Sequence, residues 1–184
     1  MATDPLYRKI TVAEFLAVDF GTDRKFELVD GMIQMMTGGT EPHAWIAGNI
    51  YSWLRSRLRG QSCRPYASDM GIEVSETDLR YPDVSIFCSP RSADFRDRCS
   101  LPDPTVVLEV LSRSTAQKDQ GTKANEYKAL PSIQVIAFID PANELVKTVR
   151  RTENGWLESF FVAQDLNLGP VGLTMPHADI FSLD

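Results

Sequence analysis

The chain has 184 residues, 43% of them apolar and 24% charged, and a formal net charge of −6. These values describe one globular domain able to bury roughly 70% of its unfolded surface, and the acidic balance excludes a general nucleic-acid coater that works by net positive charge. No run approaches the ~20 apolar residues of a membrane span, and the segment from Met1 to Pro5 starts no signal-peptide core. The three cysteines, Cys63, Cys88 and Cys99, show no C-x-x-C spacing, so a reducing, cytoplasmic setting is expected. With only His43 and His177 in the chain, a zinc site is not.

Thr11-Val12-Ala13-Glu14 is a capping-box pattern and predicts a short helix, stopped at Gly21-Thr22-Asp23. Residues 1–24 read as an N-terminal helical extension of a single domain spanning 1–184. Asp30-Gly31, between apolar runs over 25–29 and 32–36, is a strong hairpin signal. Glu27 in the first of these strands reads as an ion-pair partner of a nearby Lys or Arg; whether it joins a site is left open. Thr37-Gly38-Gly39-Thr40 is a loop without the G-x-x-x-x-G-K-[ST] pattern of a phosphate-binding loop.

Thr40 is placed to cap the next helix, with Pro42 in its first turn. Ile46, Ile50, Trp53, Leu54 and Leu58 recur at helical spacing and form a core stripe, and Gly60 is a stop. His43, at the start of this helix, reads either as an acid, base or orienting group or as a satisfied polar residue. Arg55, Arg57, Arg59 and Arg64 follow Tyr51 and Trp53 with no acid among them, which suits phosphate contact or a solvated helix end equally. Strands are expected near 63–67 and 71–74, then a polar turn over 75–78.

Residues 89–104, which include Arg91, Asp94, Arg96, Asp97, Arg98 and Asp103, form a loop long enough to be functional or mobile. Beyond it a buried strand is expected over 133–139, a turn at Asp140-Pro141, a hairpin of 145–149 with 156–162 around Asn154-Gly155, and a final short helix over 178–183.

The chemistry concentrates between Tyr81 and Lys128. Tyr81-Pro82-Asp83-Val84-Ser85-Ile86-Phe87 and Thr105-Val106-Val107-Leu108-Glu109-Val110-Leu111 read as two buried strands, each with one carboxylate. A lone ionised carboxylate in such a strand is costly unless it is paired or bound to metal. Two of them close together repel, and a divalent cation relieves this; hard oxygen donors suit Mg²⁺ or Mn²⁺ rather than zinc. Asp119, Lys123 and Tyr127 at i, i+4, i+8 share one helical face, so Lys123 can meet the two carboxylates. An Asp, a Glu and a Lys beside a metal suit phosphodiester hydrolysis. The plainer reading also stands: Asp83 as a turn residue, Glu109 in a salt bridge, Lys123 on a solvated face.

Pro82-Asp83 followed by Glu109 in a hydrophobic strand resembles the PD-(D/E)xK nuclease superfamily. The ordered set Phe26-Glu27-Leu28-Val29-Asp30-Gly31, Tyr81-Pro82-Asp83-Val84, Val107-Leu108-Glu109-Val110-Leu111-Ser112, Ser114-Thr115 and 119–127 resembles the bacterial Uma-type restriction endonucleases, from about Lys25 to the end of the chain. The resemblance implies an α+β, restriction-endonuclease-like fold: a central mixed β-sheet flanked by helices, with β-hairpins. It also implies a Mg²⁺- or Mn²⁺-dependent endonuclease acting on DNA, with Asp83, Glu109 and the Val110 carbonyl as ligands, and a homodimer with one active site per strand. Lys123 and His43 would be catalytic, supported by Asp119, Tyr127 and Glu41. The chain departs from the pattern at Leu111, where the superfamily has lysine, and at Pro42, where a Glu-His pair would have its glutamate. The alternative is a catalytically inactive module that keeps the nuclease fold for binding.

Overall fold

The computed structural model describes residues 8–90, 97–112 and 119–183, at Asp119 by its backbone alone. Arg91, Asp94, Arg96, Ser114, Thr115 and the Asp119 side chain, all read from the sequence above, lie outside the described residues. A six-stranded mixed sheet forms the centre. Its order is β11 (Gly155–Val162), β10 (Leu145–Thr152), β9 (Val135–Asp140), β8 (Val106–Val110), β6 (Val84–Phe87), β3 (Arg64–Ala67). Only the β8–β9 pair is parallel; the other four are antiparallel. β6, β8 and most of β9 are buried on both faces, which is why they read as continuous apolar runs.

One face is covered by α2 (Glu41–Arg57), whose Ile46, Ile50 and Leu54 pack on Val84, Ile86, Leu108 and Val110. On the other lies α3 (Ala124–Ala129), entered through a π-helical turn over Asp119–Lys123; Ala124, Tyr127 and Leu130 pack there with Val107, Leu111 and Phe138. The expectation of a central mixed sheet between helices is met. Thr40 precedes α2, but its side chain makes no capping hydrogen bond.

A second sheet of five strands stands beside the first: β2 (Met32–Met35), β1 (Phe26–Val29), β5 (Asp78–Arg80), β4 (Gly71–Ser75) and β7 (Ser100–Leu101). The β1–β2 turn is the expected Asp-Gly, with φ of 50° at Asp30 and 73° at Gly31, as a mirror-image hairpin turn needs. The predicted helix is α1 (Val12–Leu16), and its capping box is complete in both directions. It is packed onto this sheet: Val12 and Phe15 share a buried cluster with Leu28 and Leu79.

Three features escaped the sequence. The turn at 75–78 leads into β5, too short to show a period. β7 interrupts the long loop. A small hairpin, β12 (Leu166–Leu168) with β13 (Leu173–Met175), covers the α2 side of the core before α4 (His177–Phe181). Cysteine spacing was also a poor guide to pairing. Cys63 and Cys88 extend the β3–β6 register, in which Arg64 faces Phe87, and are joined by a disulfide with Cα atoms 3.9 Å apart.

Candidate active site

β6 and β8 pair antiparallel with Val84 opposite Leu108. Continuing that register by one residue sets Asp83 across from Glu109. The Val110 N–H donates to Asp83 Oδ2 over 2.7 Å, which locks the strand entry carrying Asp83 onto β8. Both carboxylates line one cleft of about 580 Å³ between the central sheet, the β1–β2 hairpin and the α3 side. Val110 and Lys123 line the same cleft, so four of the residues singled out from the sequence meet there.

His43, in the first turn of α2, is brought to the same place, with Nε2 3.2 Å from Asp83 Oδ2. The Gly38-Gly39 loop makes this possible. A Cβ at Gly39 would lie 2.4 Å from His43 Nδ1, so Gly39→Ala is expected to push the imidazole off Asp83. The variant should show a changed ¹⁵N-imidazole NMR signature of His43 with the thermal midpoint within a few degrees of wild type; an unchanged signature would show that the close packing of this loop does not matter. Glu41 is exposed and is not among the residues that line the cleft.

Glu109 is 4% exposed inside β8. Its Oε1 accepts from Lys123 Nζ over 3.1 Å and from the Tyr127 hydroxyl over 2.8 Å. Tyr127 is therefore a direct hydrogen-bond partner of the Glu109 carboxylate, on the helical face it shares with Lys123. A π-helical turn over Asp119–Lys123 leads into α3, and the α-helical spacing from Lys123 to Tyr127 brings both donors to one carboxylate oxygen. Burial of the phenol, reinforced by the adjacent Glu109 charge, raises its pKa well above the usual 10. Tyr127 stays protonated and donates.

The arginines Arg55 and Arg57 end α2, some twelve residues from His43, or on the order of 18 Å at the helical rise. They belong to the end of the molecule away from the cleft, and Arg57 stacks on Trp53. The cation the sequence reading missed is Arg80, which lines the cleft and is 1% exposed. Its guanidinium forks onto Glu126 of α3, Nε to Oε2 at 2.8 Å and Nη2 to Oε1 at 2.6 Å, and reaches Glu27 Oε2 of β1 at 3.3 Å. Glu27 thus has the ion-pair partner its position suggested, and it also lines the cleft. The available signal for Arg80 was its place directly before Tyr81-Pro82-Asp83.

The donors fit a hard cation. Asp83 and Glu109 offer carboxylate oxygens into one cleft beside Val110, with no thiol among the lining residues. Among the described residues no three His, Cys, Asp or Glu side chains gather in a metal-holding group. A cation here would rest on two carboxylates, a peptide carbonyl, and water or phosphate oxygens, which matches the habit of Mg²⁺ to keep several waters.

Residues 12–176 match the model of a family described as "Putative restriction endonuclease", Uma2. The chain belongs to the Uma2 family. A relative, the uncharacterized protein slr1290 of Synechocystis sp., is 30% identical over 171 residues, covering 91% of this chain and 89% of its own. A second, sll1609 of the same organism and also uncharacterized, is 26% identical over 132 residues, 71% of this chain and 75% of its own. A crystal structure described as a putative nuclease belonging to DUF820, from Anabaena variabilis, superposes with a TM-score of 0.74. It is 22% identical and covers 94% of this chain and 98% of that one, a likeness that establishes the fold. Uma2 membership and this nuclease-type fold place the chain among the putative nucleases.

Proposed function

We propose that the protein hydrolyses phosphodiester bonds in DNA as a Mg²⁺- or Mn²⁺-dependent endonuclease. The observation that carries the reading is the meeting of Asp83, Glu109 and Lys123 in one cleft although the usual strand lysine is replaced by Leu111. Leu111 is 8% exposed and packs in the core with Ala124 and Tyr127. Lys123 supplies an ammonium at Glu109 from the π-helical turn that leads into α3.

Asp83, Glu109 and the Val110 carbonyl would hold the cation, which when bound supplies Lewis-acid activation of water and neutralises phosphate charge. The chain's own groups divide the remaining work. Lys123 Nζ holds its charge at Glu109 Oε1, where it orients water and stabilises negative charge developing on the phosphate. Tyr127 fixes the Glu109 carboxylate by donating to the same oxygen. His43, at Asp83, is set to accept or donate a proton on that side of the cleft. The main chain of Val110 ties the two carboxylate strands together, so neither ligand need reorganise during the reaction.

The deciding experiment is a panel of duplex, single-stranded and branched DNA and of RNA, with Mn²⁺ and with EDTA. Metal-dependent cleavage of DNA is expected; binding without cleavage on every substrate, with no affinity for Mg²⁺ or Mn²⁺, would give the case to a binding module. A cytoplasmic location belongs to this reading, since DNA is found there. The Cys63–Cys88 disulfide pulls the other way, because such bonds are rare in reducing compartments.

The proposal includes a homodimer, because cutting a duplex takes two sites. β11 ends the six-stranded sheet and has no further strand beside it among the described residues. It exposes Leu157, Phe160 and Val162 at 55%, 61% and 54%. Its one charge, Glu158, is neutralised by Lys128 and Lys147 at 3.1 and 2.9 Å. Such an edge invites pairing with a second copy. Light scattering at micromolar concentration is expected to give twice the chain mass, and Phe160→Glu to return the monomer mass; a wild-type monomer throughout would remove the dimer from the proposal.

A further inference from the structure

Arg80 ties two neighbouring strands of the second sheet to the helix that covers the first. β5 carries it, β1 contributes Glu27 and α3 contributes Glu126, and the guanidinium is buried among them. Burial alone would lower the pKa of the guanidinium, but the Glu126 hydrogen bonds and the charges of Glu126 and Glu27 reverse this and raise it, so the arginine stays charged. Glu27 also holds the chain near Asp83, because its Oε1 accepts from the Tyr81 N–H over 3.0 Å, two residues before that carboxylate. Glu126 sits directly beside Tyr127 and three residues after Lys123, the two donors to Glu109. The network therefore touches both halves of the cleft, through Tyr81 on the Asp83 side and through α3 on the Glu109 side.

We infer that Arg80 is a positioning residue of this cleft, which by bridging Glu27 and Glu126 sets the Lys123–Tyr127 turn on Glu109 and the Tyr81–Asp83 segment on β8. A planar fork fixes direction as well as distance. A helix that slid by about 1 Å along the sheet would carry Lys123 and Tyr127 off the carboxylate, and misplacement on that scale costs on the order of 10²-fold in rate. The inference adds control of geometry to the nuclease reading and rests on it for its consequence in turnover, but the positional claim stands apart from activity.

The test uses Glu126→Gln, which keeps the shape and weakens the bridge, and Arg80→Lys, which keeps the charge and loses the fork. Arg80→Ala is less useful, because two carboxylates left near each other in a buried site invite unfolding. With ¹³C-labelled tyrosine, and Tyr127→Phe to assign its signal, the Tyr127 ring resonance is expected to move in both variants while the other tyrosines with assigned signals, remote from the network, do not. In turnover, each variant is expected to lose about 10-fold in kcat with KM for DNA within about 3-fold. In a Lys123→Ala background Glu126→Gln, the change on the α3 side alone, is expected to add less than about 3-fold, since its effect on turnover acts through the turn whose lysine is already gone. A folded Glu126→Gln or Arg80→Lys protein whose Tyr127 resonance stays in place overturns the inference, as does a kcat loss from Glu126→Gln of equal size in both backgrounds. If the wild type cleaves nothing, the nuclease reading falls and the tyrosine resonance still decides whether Arg80 positions this turn.

Discussion

Lys123→Ala is expected to lower turnover by about 10²–10³-fold, roughly 2.7–4 kcal/mol of transition-state stabilisation, with DNA affinity within a few-fold of wild type. The ammonium is 3.1 Å from Glu109 Oε1, and the side chain is only 15% exposed, with its charge directed into the cleft. A charge held in that way needs no reorganisation as negative charge grows on phosphate, so its contribution is greater in the transition state than in binding. Glu109 loses a buried cation in the variant but keeps the Tyr127 hydroxyl, so the thermal midpoint should fall by a few degrees without loss of the fold. Lys128 is the control. It points to Glu158 on β11, 3.1 Å away, and its alanine variant should cleave at the wild-type rate. Full turnover in Lys123→Ala would end the idea that a helix lysine replaces the one missing at Leu111, and His43 would be the next candidate.

Asp83→Asn should have the larger effect. Asparagine preserves the volume and one acceptor for the Val110 N–H, now 2.7 Å from Oδ2, so the β6–β8 junction should survive. The charge does not survive. In the proposed site the acidic ligands are Asp83 and Glu109, so losing one removes half of the negative charge they would offer a divalent cation. Mg²⁺ binding by calorimetry should disappear at millimolar concentrations, and cleavage should fall at least 10³-fold, about 4 kcal/mol on the barrier. His43 loses a charged neighbour in the same variant, so the outcome is to be compared with His43→Ala, which should reduce the rate and leave metal affinity intact. An Asp83→Asn protein that binds Mg²⁺ as tightly as wild type would place the metal elsewhere.

Local patterns led directly to much of this molecule. The capping box at Thr11 and the Asp30-Gly31 turn are short-range chemistry, decided by residues in contact along the chain, and both formed as read. The α2 stripe of Ile46, Ile50 and Leu54 follows from helical period, and the apolar runs holding Asp83 and Glu109 follow from burial on both faces of a sheet. The site candidates were legible for the same reason: a carboxylate inside an apolar strand is conspicuous. Where the reading failed, the local pattern was weak or misleading. β5 has three residues and no period to detect, and the spacing of the cysteines gave no sign of the Cys63–Cys88 bond.

By itself, the sequence determined where the helices and most strands lie, which residues form the core stripes, and which two acids are placed at cost in or beside buried strands. All of these depend on neighbours a few positions apart. Tertiary structure alone decided the partnerships: Tyr127 with Glu109, His43 with Asp83, Cys63 with Cys88, and Arg80 with Glu27 and Glu126. Arg80 is 53 residues from Glu27 and 46 from Glu126. Nothing in local propensity distinguishes an arginine that will be buried between two acids from one that will face water. The choice is made when the two sheets and α3 close on one another and the buried charge must find counter-charges in the space that remains.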